Sequence, residues 1–129
     1  MPEASSPRLI QVAQRATDLA RATAFYSDLL GVPPTATFDP PGLAFFDLDG
    51  VRLLLDVGAP SALIYLAVGD IEAAVTRLRQ AGVEVTSEPH VIFNHDDDTL
   101  GPAGSAEWMA FVQDSEGSLV GLVEQRLPI

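Results

Sequence analysis

The chain contains no cysteine and no lysine. Without thiols it cannot form disulfides, supply a thiolate nucleophile or build a cysteine-ligated zinc site. Without lysine it cannot form a Schiff base on a side-chain amine. All seven basic residues are arginines, set against 18 carboxylates, and the formal net charge is −11. Such a balance repels nucleic acid and anionic membrane surfaces, so neither is an expected partner. Two readings of the charge stay open: a solvated surface suited to a small soluble domain, or attraction for a cationic ligand. No apolar run approaches the roughly 18 residues that a membrane span needs. The N-terminal segment also lacks the apolar centre of a signal peptide. A disordered leader over residues 1–7 and a cytoplasmic location are therefore expected.

What the chain does have is apolar material, 47% of 129 residues, enough for the core of one compact domain. The stretch Leu63–Val83 organises it. A short apolar run, Leu63–Val68, reads as a strand. Asp70 suits a helix N-cap, and Glu72 suits the positive first turn. Ile71, Ala74, Val75 and Leu78 fall on one helical face, so a helix is expected over Ile71–Ala81 with Gly82 as its stop.

The same unit occurs earlier. Leu9–Arg15 is a strand candidate, Asp18 a cap, Leu19–Leu30 a helix with Leu19, Ala22, Phe25, Tyr26, Leu29 and Leu30 inward, and Gly31 the stop. Asp18 and Asp70 lie about 52 residues apart, and the Gly-Val dipeptides at 31–32 and 82–83 keep nearly that spacing. After the first helix, Thr35–Phe38 is a short strand, and Leu43–Leu48 and Val51–Asp56 flank Asp49-Gly50, a strong hairpin signal. After the second, Val83–Thr86 leads into Glu88–Asn94, an acidic loop runs from His95 to Ser105, and Glu107–Asp114 and Ser118–Gln125 flank Glu116-Gly117. The expected fold is α+β: two tandem βαβββ modules, about 8–58 and 61–126, within a single domain over 8–126.

The segments QVAQRATDLARATAFYSDLLGV, LIYLAVGDIEAAVTRLRQAGVEV and FVQDSEGSLVGLVE carry a resemblance. From Leu9 to about Glu124 the chain resembles the vicinal oxygen chelate superfamily, which includes glyoxalase I, methylmalonyl-CoA epimerase, extradiol dioxygenases and the fosfomycin and bleomycin resistance proteins. The resemblance implies that the modules form a half-open, barrel-like sheet with a ligand cavity between them. Its motifs specify the fold well and the chemistry poorly. In metal-using members, one His, Gln or Glu from each of four strands meets a divalent ion. Carried over, those positions are Gln11, Leu54 (with Asp56 two residues on, facing the same way), Leu63 and Gly121. Leu and Gly side chains offer no lone pairs, so no cofactor is expected at the usual positions. A divalent metal would require a non-standard site.

The remaining polar candidates sit in the second half. His90 and His95 are five apart and would point to opposite faces of a continuous strand. They are either a strand histidine beside a solvated hairpin tip or, if the chain turns, parts of a relocated metal or acid–base site. Glu107 shares a strand face with Met109 and Phe111, while Trp108 takes the other. It is either a general base with a raised pKa or a wet edge carboxylate. Gln11, Asp56, Tyr65 and Trp108 are the ligand-binding candidates; Glu107, His95 and His90 are the catalytic ones.

Three functions follow. The first is metal-free binding of a small cationic or aromatic compound, resembling bleomycin resistance proteins. The second is a lyase, isomerase or dioxygenase-like enzyme using His90, His95 and Glu107. The third is a dimeric partner-binding module without catalysis. Sheet edges need cover and members of this size usually pair, so a homodimer is expected.

Overall fold

The computed structural model describes residues 11–128. It divides into two compact units, one ending at Ala62 and the other starting at Leu63. Leu9, Ile10 and the expected leader lie outside the described residues.

The first unit runs β1 (Gln11–Arg15), α1 (Leu19–Leu30), β2 (Ala36–Phe38), β3 (Leu43–Leu48) and β4 (Val51–Asp56). Its sheet has the order β1-β4-β3-β2, with β1 parallel to β4 and the other pairs antiparallel. The hairpin between β3 and β4 forms as its Asp-Gly loop demands. Asp49 (φ 54°) and Gly50 (φ 91°) both take the left-handed region that a tight two-residue turn requires. Asp18 caps α1 by accepting from the Arg21 N–H at 3.0 Å, and Gly31 ends it at φ 74°. Gln14, Ala44, Phe46, Leu53 and Leu55 share one sheet face and are buried beneath α1. Of the six inward residues expected on α1, only Ala22 and Tyr26 are fully buried. The buried Gln14 is satisfied at both ends of its amide: Nε2 donates to the Tyr26 hydroxyl at 3.3 Å, and Oε1 accepts from Ala62 N–H at 2.9 Å.

The second unit repeats the plan: β5 (Ile64–Ala67), α2 (Ile71–Gln80), β6 (Val85–Asn94), β7 (Ala106–Gln113) and β8 (Leu119–Arg126), in sheet order β5-β8-β7-β6. Asp70 caps α2 through the Ala73 N–H at 3.0 Å, and Ile71, Val75 and Leu78 are its buried stripe. Ala81 serves as the C-cap, one residue short of the expected end, with Gly82 left-handed just beyond. The two expected pieces before the acidic loop are one strand, β6, with three register shifts against β7. Pro89 has no N–H to give a ladder, which an edge strand with bulges tolerates. Beneath α2 lie Ile64, Ala110, Val112, Val120 and Leu122, all buried. Among the described residues no helix is long and apolar enough to cross a membrane.

An ion-pair hub ties α2 to the end of β8. Glu124 accepts from the Ile71 N–H at 2.9 Å in the first turn of the helix. Arg126 donates to Glu124 at 3.0 Å and to Glu72 at 2.6 Å, and its guanidinium lies 4.3 Å from the centre of the Trp108 ring. The bond from Arg126 holds the Glu124 carboxyl below the usual glutamate range, with Ile71 N–H adding to the effect against partial burial. A depressed folded-state pKa contributes stability above the unfolded value, about 4.3, and loses it as pH falls through the folded value. Glu124→Gln is therefore expected to cost about 1–2 kcal/mol at neutral pH. The gap to the parent should close below about pH 4. Thermal melts followed by circular dichroism check this, and a gap independent of pH would contradict it.

Candidate functional site

Each sheet carries one helix, so each has a second face that its own unit leaves without a helix. In the second unit that face is built around a glycine. Tyr65, Gly121 and Phe111 lie side by side on β5, β8 and β7. A Cβ at Gly121 would stand 2.6 Å from Tyr65 Cδ2 and 3.2 Å from Phe111 Cε2. The Tyr65 ring thus occupies the space above residue 121, which only glycine can leave open. The Tyr65 and Phe111 rings meet edge-on, 6.0 Å apart at 77°. Tyr65 is 50% exposed and Leu63, just before β5, is 47% exposed, so this aromatic surface is accessible.

Toward the other end of the same face, β7 and β8 bring Glu107 opposite Gln125. The loop 95–105 folds back over them. Its first residue, His95, has a side chain only 2% exposed, and its Nε2 is 2.8 Å from Glu107 Oε1. Gln125 donates its amide to the same carboxylate oxygen and to the Leu100 carbonyl, each at 3.2 Å. Gly101 permits this closure, since a Cβ there would lie 2.8 Å from Gln125 Nε2 and 3.1 Å from His95 Cε1. A carboxylate only accepts, so the shared proton rides on Nε2. Glu107 fixes the imidazole's orientation and is itself committed to two donors.

The structure joins His95 to Glu107 and leaves His90 apart. His90 is exposed, with Nδ1 2.8 Å from the Glu88 carbonyl. Trp108 stands on the opposite, helix-side face of β7, beneath Arg126. In the first unit, Gln11 Oε1 accepts from Arg52 Nε at 2.9 Å. Asp56 holds the turn after β4 by accepting from the Gly58 N–H at 2.9 Å. Sequence reasoning missed Arg52, Gln125 and Phe111 as site residues. Pairing the strands about the Glu116-Gly117 turn would have found Gln125, because it brings that residue across from Glu107.

The donor set at the four positions implied by the resemblance does not fit a divalent ion. Leu54, Leu63 and Gly121 supply no lone pair, and the oxygen of Gln11 already accepts from a guanidinium. The ring of Tyr65 also fills the volume a ligating side chain at 121 would need. Elsewhere, carboxylate oxygens of Asp70, Glu72 and Glu124 lie within 4.8 Å of one another. That group is compensated by Arg126 and by the first-turn amides of α2.

Two βαβββ units with one helix on each sheet define an α+β protein of paired modules. The family model for the Glyoxalase/Bleomycin resistance protein/Dioxygenase superfamily matches residues 8–120, and the chain belongs to this superfamily. Solved structures agree on the fold. A lactoylglutathione lyase from Agrobacterium tumefaciens is similar with TM-score 0.71 at 21% identity, covering 93% of this chain and 95% of that one. A glyoxalase/bleomycin resistance protein/dioxygenase from Alicyclobacillus acidocaldarius gives TM-score 0.64 at 16% identity, with 92% and 91% covered. A glyoxalase I mutant from Zea mays gives 0.67 at 21% identity, covering 95% of this chain and 46% of that longer one. At these identities the likeness shows the fold alone. No curated protein matches the sequence.

The pairing of His95 with Glu107 has a direct consequence. Glu107→Ala strands a buried Nε2–H and is expected to cost about 1–3 kcal/mol. His90→Ala, at an exposed position, should stay within about 0.5 kcal/mol of the parent. Urea denaturation of the two variants tests the contrast; equal losses would mean the pair is not formed in solution.

Proposed function

We propose that the protein is a small-molecule binding member of the superfamily that holds an aromatic compound, preferentially a cationic one, on the helix-free face of its second sheet without a metal at the usual positions. The observation that carries this reading is Gly121 beneath the Tyr65 ring. Where a coordinating side chain would project, the chain instead presents an aromatic pair with a glycine floor. The exposed Tyr65 ring, with Phe111 edge-on to it and Leu63 exposed just before β5, offers a flat ligand aromatic and apolar contact. Offset or edge-on contact with a flat ligand adds about 0.5–1.5 kcal/mol per ring beyond the area it buries. The net charge of −11 raises the local concentration of cations over anions.

The enzymatic alternative draws on His90, His95 and Glu107, and only the latter two meet. Glu107 is already engaged by two donors, which suits it to positioning His95 rather than to taking a proton from a substrate.

Titration with thioflavin T, a planar aromatic cation, is expected to give saturable fluorescence that Tyr65→Ala and Phe111→Ala each weaken by about tenfold or less, in line with the loss of one ring contact. The anionic dye anilinonaphthalene sulfonate should bind less tightly, and added salt should weaken the cation. Calorimetric titration with Zn²⁺, Ni²⁺, Mn²⁺ and Fe²⁺ should show no tight ion whose affinity depends on Gln11. Dye binding unchanged by both ring deletions, or one Gln11-dependent ion per chain, would sink the reading.

A further inference from the structure

β6 ends the sheet order of the second unit, so one of its sides meets β7 and the other meets no strand among the described residues. It has ten residues, against five, three and four described for β1, β2 and β5 at the other sheet edges. An edge strand turns about half its N–H and C=O groups away from its neighbour, where an extended chain can pair with them.

The two halves of β6 differ. Pro89 offers no N–H, and the Glu88 carbonyl already meets His90 Nδ1 at 2.8 Å, so the first half is a poor template. Beyond Pro89 the strand is apolar. Val91 opposes Trp108 and Phe93 opposes Glu107, adjacent residues of β7, so Ile92 is the extra residue of a bulge. Strand alternation lapses there, and Val91, Ile92 and Phe93 are 41%, 45% and 51% exposed in succession. The exposed Leu100 borders the same hollow as Phe93 and extends the apolar group. We infer that this edge pairs with the same edge of a second copy of the chain, antiparallel about a twofold axis near Ile92.

Charge selects that occupant. At a net −11, two copies repel over most of their surfaces. Residues 89–95 contain neither a carboxylate nor an arginine, so here they can meet without that cost. Pairing about Ile92 sets Val91 against the partner's Phe93 and His90 against the partner's Asn94, on both sides of the axis. The first carboxylates to come together are Glu88 and the partner's Asp96, and Glu88 is already bonded to Arg79. A strongly basic or acidic partner would find no opposite charge in this stretch. A twofold contact uses one patch twice, and an antiparallel ladder exchanges N–H and C=O in both directions, so the edge is its own complement.

The size of the contact sets its strength. A few side chains and a short ladder bury less than the roughly 800 Å² per partner of a standard interface, so a Kd of roughly 10–100 µM is expected.

Sedimentation velocity of the full chain over about 1–500 µM should therefore show monomer passing to dimer within that range. Ile92→Glu brings two carboxylates together at the axis and should weaken the dimer by about tenfold or more. Val32→Glu, at an equally exposed apolar position in the first unit, should leave it unchanged. Both sites are exposed, so both variants are expected to keep their fold, which circular dichroism checks. The lack of cysteine allows a second probe that adds no charge. Oxidised Ile92→Cys should link two copies through one disulfide, because paired residues at the axis lie within its reach. Val32→Cys should link far more slowly. A chain that stays monomeric throughout would leave the edge to a foreign strand and overturn the inference. So would a dimer that Ile92→Glu leaves intact, or cross-linking no faster from position 92 than from position 32.

Discussion

A four-stranded sheet with a single helix against it has one face covered by its own unit and one face left over. This constraint shapes both halves of the chain. On the covered faces the side chains are small or aliphatic and buried, such as Ala44, Leu53 and Leu55 in the first unit and Ala110, Val112 and Leu122 in the second. On the other faces the same strands carry Gln11, Arg52 and Asp56, or Tyr65, Phe111 and Glu107. Period-two alternation puts these two sets on opposite sides of the same strands.

The hub at Arg126 shows how the covered side is secured without lysine or cysteine. One guanidinium bonds two carboxylates and stacks on Trp108, while Glu124 also meets the first turn of α2. Arginine suits this work because its planar fork donates in several directions and its flat face stacks on a ring. Three acidic groups near a helix N-terminus look like a cation site from position alone. Their partners show them instead to be a structural joint.

The open face of the second unit divides into two chemistries along the strands. Near Gly121 it is aromatic and apolar. Near Glu107 it is polar, closed by a loop whose first residue is a buried histidine. Phe111 and Glu107 are four residues apart on β7, roughly 13 Å along a strand. In the first unit, Gln11 keeps its oxygen turned to Arg52, so a residue type that could ligate a metal has an arginine for a partner.

Much of the architecture was legible in the linear chain. The Asp18 and Asp70 caps, the Gly31 and Gly82 stops and the Asp49-Gly50 turn are local signals, each set by the conformations that one or two residues can adopt. They placed both helices to within a residue and marked the repeat of the βαβββ unit. The alternation of Glu107 against Trp108 was equally readable, because it depends only on strand geometry. The pairing of β6 with β7 was not. Its bulges break the alternation, so the positions of His90 and His95 could not be counted from the sequence. That Glu107 meets His95 rather than His90, that Gln125 joins them and that Tyr65 lies over Gly121 all depend on register and on the return of the 95–105 loop. Sequence alone determined the elements and the residues unable to ligate, since these follow from local backbone preference and side-chain chemistry. Tertiary structure decided which polar groups meet, because contacts between distant residues are set by strand register and loop closure.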